Sequence, residues 1–339
     1  MRIERLTAEM IPDYDQYLIR KNHSLLYYSS KYKDFLKNLL GCGDEYYVAT
    51  EGDEIRGVLP LMYTEIGSNR VYNGLPYYGS IGGILADNKD ANDALVGTYN
   101  QIAGDTTTIS ATVISNPLAE QKLTGITHNF TDYRISQITT LSEKDEILSR
   151  IESSARRNVK KALREGVSVE VDNDRLDRLC EMHQENIKEI GGTPKSERFF
   201  SLVSESFLPG DDFNVYVAKL DGVVIAGLLI FYFHKTVEYF TPATDVQYRS
   251  VQPLAPILSK AMTDAARRGF VWWNWGGTWE SQTGVYRFKK KWAADEGRYF
   301  YYTQLNDDSL LSWTPEDILK TFPNFFVVPF SELIRGNGK

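Results

Sequence analysis

The chain has 339 residues, 42% hydrophobic and 24% charged, the balance of an ordinary globular protein. At roughly 100–200 residues per domain that length suits two domains. A net charge of −7 and a pI near 5.3 argue against general nucleic-acid binding, which needs a broad basic face, but leave room for a local basic pocket that takes a phosphorylated ligand.

The N-terminal stretch MRIERLTAEMIPDYDQ lacks the apolar core of a signal peptide. No window approaches roughly 18 apolar residues, so a cytoplasmic protein with no membrane span is expected. Cys42 and Cys180 lie far apart without CxxC spacing and read as buried thiols. His23, His128, His183 and His234 are scattered without metal-type spacing, so no metal site is expected. GxSxG, HExxH and Walker patterns are absent from the sequence.

In chain order, the apolar helix KDFLKNLL precedes DEYYVATEGDEIRGVLPLMY, two apolar runs about a Gly-Asp turn that read as a hairpin. YYGSIGGIL, residues 77–85, is glycine-rich but lacks GxGxxG order. It reads as a strand and turn with substrate contact as one option. A boundary falls near residues 140–152, where Ser142 is a candidate N-cap followed by acids. Domains are therefore expected at 1–145 and 146–339. The next helix is basic, carrying Arg156, Arg157, Lys160, Lys161 and Arg164 before Gly166. It is either a solvated face or a phosphate attractor.

The second half repeats the first. The helix RFFSLVSESF precedes FNVYVAKLDGVVIAGLLIFY, a hairpin about Asp221-Gly222. Tyr216-Val217-Ala218 answers Tyr47-Val48-Ala49, and Tyr232 answers Tyr63 at the same spacing. Gly57 and Gly227 are one residue out of step, which implies a slip in the turn. A duplicated α/β unit follows from this pattern. HKTVEYFTPATD gives a further strand. Leu254, Ile257, Leu258, Ala261, Met262 and Ala265 then mark one face of a helix that ends at Gly269. FVWWNWGG follows as a strand parallel to its predecessor or close to it in one sheet. The tail from Asp307 reads as ordered but irregular.

FVWWNWGGTWESQTGVYRFKKKW concentrates the chemistry. Trp272, Trp273, Asn274 and Trp275 lead to Gly276-Gly277, an open turn, and a helix beginning near Val285. Helix N-termini offer free N–H groups to anions. Lys289 is placed to meet a phosphate or a developing oxyanion. Phe288 and Trp292, at i and i+4, seat the helix, and at most one or two of the three lysines point inward.

The span Ser153–Trp292 resembles the Fem-type nonribosomal peptidyltransferases and the wider group of tandem acetyltransferase-like (GNAT-fold) proteins. Three pieces carry the resemblance: SSARRNVKKALREGVSVEV, PATDVQYRSVQPLAPILSKAMTDAARRGFVWWNWGG and GVYRFKKKW. It implies an α/β (α+β) fold of two tandem GNAT-like domains, each a mixed twisted sheet flanked by helices. The implied reaction moves an acyl or aminoacyl group to a primary amine. Lys289 then matches the lysine of the F-K motif and stabilises the oxyanion, while Phe288 lines the pocket. Asp245 or Glu238, both near the end of the EYFTPATD strand, is the expected proton acceptor, directly or through water.

Arg156, Lys160 and Arg249 would hold phosphates, with Ser250 beside them. Tyr239, Asn274, Trp275 and Tyr286 would contact substrate, the three aromatic rings among them suiting a base or sugar. Where the family's coenzyme A loop has R-x-x-G-x-G, this chain has YRSVQPL: Arg249 is kept, but Ser250, Gln252 and Pro253 replace glycines, and Pro253 has no N–H to give.

The expected donor is an acyl-coenzyme A and the expected acceptor a nucleotide-linked amino sugar, as in polysaccharide synthesis. The alternatives are an aminoacyl-tRNA-dependent peptidyltransferase acting on a peptidoglycan precursor, and a non-catalytic binding protein. The acidic pI disfavours tRNA.

Overall fold

The computed structural model describes residues 1–77, 81–119, 122–142 and 144–333. The chain runs through β1 (Arg2–Arg5), α1 (Ile11–Arg20), α2 (Ser30–Leu40), β2 (Gly43–Asp44), β3 (Tyr47–Glu51), β4 (Glu54–Leu59), β5 (Met62–Ile66), β6 (Asn69–Asn73), β7 (Leu85–Ala86), α3 (Lys89–Ala103), β8 (Thr108–Ile114) and β9 (Phe130–Thr140). It continues through α4 (Lys144–Arg150), α5 (Ser153–Arg164), β10 (Ser168–Val171), α6 (Leu176–Glu189), α7 (Glu197–Ser206), β11 (Phe213–Leu220), β12 (Val223–Phe233), β13 (Thr236–Thr244), α8 (Leu254–Arg267), β14 (Trp272–Thr278), α9 (Thr283–Lys290), β15 (Asp295–Leu305) and α10 (Pro315–Thr321).

These elements group into two compact units, Met1–Arg134 with the chain from Arg298 onward, and Ile135–Gly297. The boundary expected near 145 leaves the tail with the second domain. The tail groups with the first unit because Tyr301–Leu305 of β15 lie antiparallel to Ser110–Ile114 of β8. Ser142 stands two residues ahead of α4, and the acidic side chains of that turn fall outside the described ones.

In the first unit β3 and β4 form the expected hairpin, flanked by β1 and β7. Residues 78–80 of the glycine-rich stretch lie outside the described residues. Among those described, a Cβ on Gly83 would sit 2.7 Å from the Ile114 carbonyl oxygen. The Gly83 N–H donates to Tyr28 Oη at 2.9 Å. Close backbone packing thus requires glycine there.

In the second unit the strand order is β10-β11-β12-β13-β14-β9. The β11–β12 hairpin matches β3–β4 down to its irregularity: register shifts between Ala49 and Thr50 in one and between Ala218 and Lys219 in the other. The slip inferred from Gly57 and Gly227 is not in the turn. Ala49 pairs with Gly57, and its counterpart Ala218 pairs with Ala226, so the glycine alone has moved by one position.

Helices cover both faces of this sheet. On one face Ala155 and Ala162 of α5 and Ile257, Leu258, Ala261, Met262 and Ala265 of α8 pack with Val237, Trp273 and Trp275, as the apolar spacing of α8 requires. On the other lie α6 and α7; a Cβ on Gly227 would meet Leu179 of α6 at 3.0 Å. Burying an aromatic side chain of this size dominates the local energetics. Trp273, fully buried, is expected to cost about 3–5 kcal/mol when replaced by alanine, read as a lower urea midpoint than wild type.

Candidate active site

The site forms where two parallel strands part. The β13–β14 ladder runs through Thr236–Trp272, Val237–Trp273 and Glu238–Asn274. Beyond it β13 carries an extra residue, Phe240, opposite Leu229 and Ile230 of β12. Gly276 of β14 takes a left-handed φ of +70°, which glycine adopts without penalty. Glu238 and Asn274 therefore stand at the last rung, both only 1% exposed. Asn274 Nδ2 donates to Glu238 Oε2 at 2.8 Å, while its Oδ1 accepts from the Gly276 N–H at 3.0 Å. The Gly276 bond fixes which way the amide faces, so the carboxylate receives an N–H and not an oxygen.

Lys289 turns inward from α9 and is 5% exposed. Its ammonium donates to Thr278 Oγ1 at 2.8 Å, the Gly277 carbonyl at 3.3 Å and the Gly276 carbonyl at 3.4 Å. All three partners are neutral. Loss of hydration pushes its pKa from 10.5 down to about 8. The Thr278 hydroxyl donates onward to Gln137 Oε1 at 3.2 Å, and Gln137 Nε2 to the Tyr286 carbonyl at 3.0 Å. Trp275 Nε1 donates to Thr139 Oγ1, itself bonded to the Trp292 carbonyl, both at 2.9 Å. Gln137 and Thr139 come from β9, some 150 residues before Lys289 in the chain, and carried no local signal in the sequence.

A cleft of about 380 Å³ opens on the α5–α8 side, at the end of β13 and the start of α8. Its walls include Asn158, Thr244, Arg249, Gln252, Phe288 and Lys291. The three consecutive lysines thus diverge: Lys289 is buried, Lys290 donates to Tyr286 Oη at 3.1 Å in solvent, and Lys291 lines the cleft. Phe288 also meets Trp275 edge-on, their centroids 6.2 Å apart, and Tyr239 packs tilted against Trp275 at 4.9 Å. Burial raises the Tyr239 pKa above its ordinary value.

Other candidates are held elsewhere. Asp245 caps the turn after β13 through the Gln247 N–H and pairs with Arg178 at 2.9 Å. Arg156 donates to the carbonyls of Leu148 at 3.2 Å and Ser149 at 2.8 Å, closing the end of α4. Lys160 is exposed on α5, and it is Ala155 and Asn158 of that helix that face the cleft. Arg249 lines the cleft with its guanidinium paired to Glu189. Ser250 is exposed and gives its carbonyl to Lys161 at 2.7 Å. The Tyr286 hydroxyl donates to Glu296 at 2.6 Å, away from the cleft lining.

The lysine carries a stability consequence. Unfolded, it keeps its proton up to about pH 10.4; folded, only up to about 8. The folded state is therefore penalised below pH 8, by as much as about 3 kcal/mol, and the penalty fades as pH rises from 8 to 10.4. Lys289→Met is expected to unfold at higher urea than wild type at pH 7, with the advantage shrinking toward pH 10.

The comparisons bear on the same region. Residues 149–290 match the model of the acetyltransferase (GNAT) domain family. No curated protein matches the sequence. The fold is similar to the crystal structure of FemX, with a TM-score of 0.72 at 17% identity over 91% of this chain and 98% of that one. It is also similar to the C-terminal domain of a putative lysylphosphatidylglycerol synthetase from Agrobacterium fabrum, with a TM-score of 0.59 at 13% identity over 92% and 97% of the two chains. A tandem GNAT protein from the clavulanic acid biosynthesis pathway gives 0.52 at 9% identity over 89% and 97%. The whole chain thus has the fold of FemX and of a tandem GNAT protein, and its second unit carries the match to the acetyltransferase (GNAT) domain family.

Proposed function

We propose that the chain transfers an acyl group from a carrier held in the α5–α8 cleft to the amine of a nucleotide-linked amino sugar, with acyl-coenzyme A as the donor. The observation that carries this reading is the buried Glu238–Asn274 pair at the parting of β13 and β14. A carboxylate oriented by an amide, at the edge of an opening between strands, suits a general base.

The steps follow from chemistry. The Glu238 carboxylate takes a proton from the acceptor ammonium, leaving a neutral amine. The nitrogen lone pair attacks the donor carbonyl carbon, forming the N–C bond and placing negative charge on oxygen. Lys289 stabilises that charge from beside Gly276–Thr278, where its two long bonds to carbonyls are readily given up. Collapse breaks the bond to the carrier, and the departing sulfur takes up the second amine proton. Phe288, backed by Trp275, seats the donor against the sheet, and Lys291 supplies positive charge at the cleft.

A second reading takes an aminoacyl-tRNA as donor, with oxygen as the leaving atom. It is favoured by Arg157, Lys160 and Arg164, exposed at i, i+3 and i+7 on α5. Their hydrogen bonds go to Ser153 Oγ and the Lys160 carbonyl, and none pairs with a carboxylate among the described residues. The replacement of the loop glycines, and the pairing of Arg249 with Glu189, favour it too. The fold likeness to the C-terminal domain of a putative lysylphosphatidylglycerol synthetase suits an aminoacyl donor too.

Calorimetric titration with coenzyme A, acetyl-coenzyme A and a 3′-aminoacylated RNA minihelix separates the two. Binding of a coenzyme A species supports the first reading and binding of the minihelix alone the second. Once a donor is found, Glu238→Gln is expected to lower kcat by about 10²–10⁴-fold and Lys289→Met by about 10²–10³-fold. Asp245→Asn should stay within a few-fold of wild type. Full turnover by Glu238→Gln would remove the proposed base.

A further inference from the structure

Lys195 lies outside the chemistry described so far. It ends the sequence Gly191-Gly192-Thr193-Pro194-Lys195, which joins α6 to α7. Its backbone N–H donates to His183 Nε2 at 3.1 Å. To accept there, His183 must be the neutral tautomer with its proton on Nδ1. Burial, with Lys195 close by, pushes the imidazole pKa down to about 4, so the acceptor nitrogen is available through neutral pH. His183 is 5% exposed and fixes the end of the loop.

The Lys195 ammonium lies 5.2 Å from the centroid of Phe240 and 5.8 Å from that of Phe199. The two rings stack at 5.6 Å with an interplanar angle of 4°. Phe240 is the extra residue of β13, and the bulge decides its direction. Tyr239 turns toward Trp273 and Trp275, on the α8 face. Phe240 turns the other way and meets Phe231 edge-on at 5.1 Å. Phe231 is the cross-strand partner of Glu238, and paired residues share a sheet face. Phe240, two positions after Glu238 in β13, therefore lies on the same sheet face as Glu238, and the Lys195 ammonium stands over its ring. Lys195 is half-buried as a residue, and the two aromatic faces offset part of the hydration its ammonium loses. Desolvation lowers its pKa to about 8, which leaves it mainly cationic at neutral pH.

We propose that Lys195 binds an anionic group, a carboxylate or a phosphate, on the acceptor, while the acceptor's amine meets Glu238. The inference rests on the acyl-transfer reading of Glu238 and deepens it: the acceptor is an amine with a negative charge a short distance away. Lys195 sets specificity, and His183 positions it through the loop. The diphosphate of a nucleotide-linked sugar and the carboxylate of an amino acid or acidic sugar share this chemistry.

The test is binding, so that it stands apart from turnover. Wild type, Lys195→Met and Lys195→Arg are titrated with glucosamine, glucosamine 1-phosphate and muramic acid. Wild type is expected to bind at least one anionic probe about tenfold or more tighter than glucosamine, and which one separates phosphate from carboxylate. Lys195→Met should lose that preference and Lys195→Arg retain it. Glu238→Gln should keep it, because the anion is not held by Glu238. Equal binding of neutral and anionic probes by wild type, or an unchanged preference in Lys195→Met, overturns the proposal. Should the methionine variant not fold, the wild-type panel and the arginine variant still decide it. Anion-selective binding without any acyl transfer would instead count against the proposed reaction and leave Lys195 its role.

Discussion

The hydrogen bond from Asn274 to Glu238 is the interaction on which the site depends. It sits on the last rung of a parallel ladder, so the strands on either side are held together up to that point and free to part beyond it. Asn274 also holds the Gly276 N–H, which fixes the turn of β14 as it leaves β13. One amide thus orients the candidate base, ends the ladder and begins the opening. A buried carboxylate is costly unless hydrogen-bonded, so the same bond that orients the candidate base also makes its burial tolerable.

Charge is distributed with a similar economy. The chain is acidic overall, yet the four cations at Arg287, Lys289, Lys290 and Lys291 occupy different environments. Lys289 is desolvated among neutral oxygens, which is unfavourable for folding and, in the proposed reaction, would suit a negative charge that exists only in passing. Lys291 borders the cleft, while Arg287 and Lys290 remain in solvent. The aromatic residues interleaved with them, Phe288 and Trp292, seat α9 against Trp275 and the core.

Much of this was legible in the sequence because it is local. The apolar spacing of Leu254–Ala265, the Asp221-Gly222 turn and the WWNWGG strand followed by a short helix each declare one element and one face. The pairing of Asn274 with Glu238 could be approached through the expectation of parallel neighbours. What escaped was non-local. Gln137 and Thr139 belong to the site only because β9 pairs with β14. Arg156 resembled a phosphate ligand because a cation's sequence position does not reveal that two carbonyls at the end of α4 will claim it. The return of the tail to the first unit depends on pairing with a strand nearly 200 residues away. Lys195 and His183 form no motif in the sequence; their placement on the Glu238 face of the sheet follows from a single extra residue in β13.

The most direct test of the account is amide hydrogen exchange in the presence and absence of a bound donor, whether a coenzyme A species or an aminoacylated RNA minihelix. Donor in the proposed place should slow exchange in the segment from Tyr239 to Ala255 and in Gly276–Thr278, where the strands part and the cleft opens. A donor that binds and turns over while leaving both segments unchanged would contradict the claim that reaction occurs at the parting of β13 and β14.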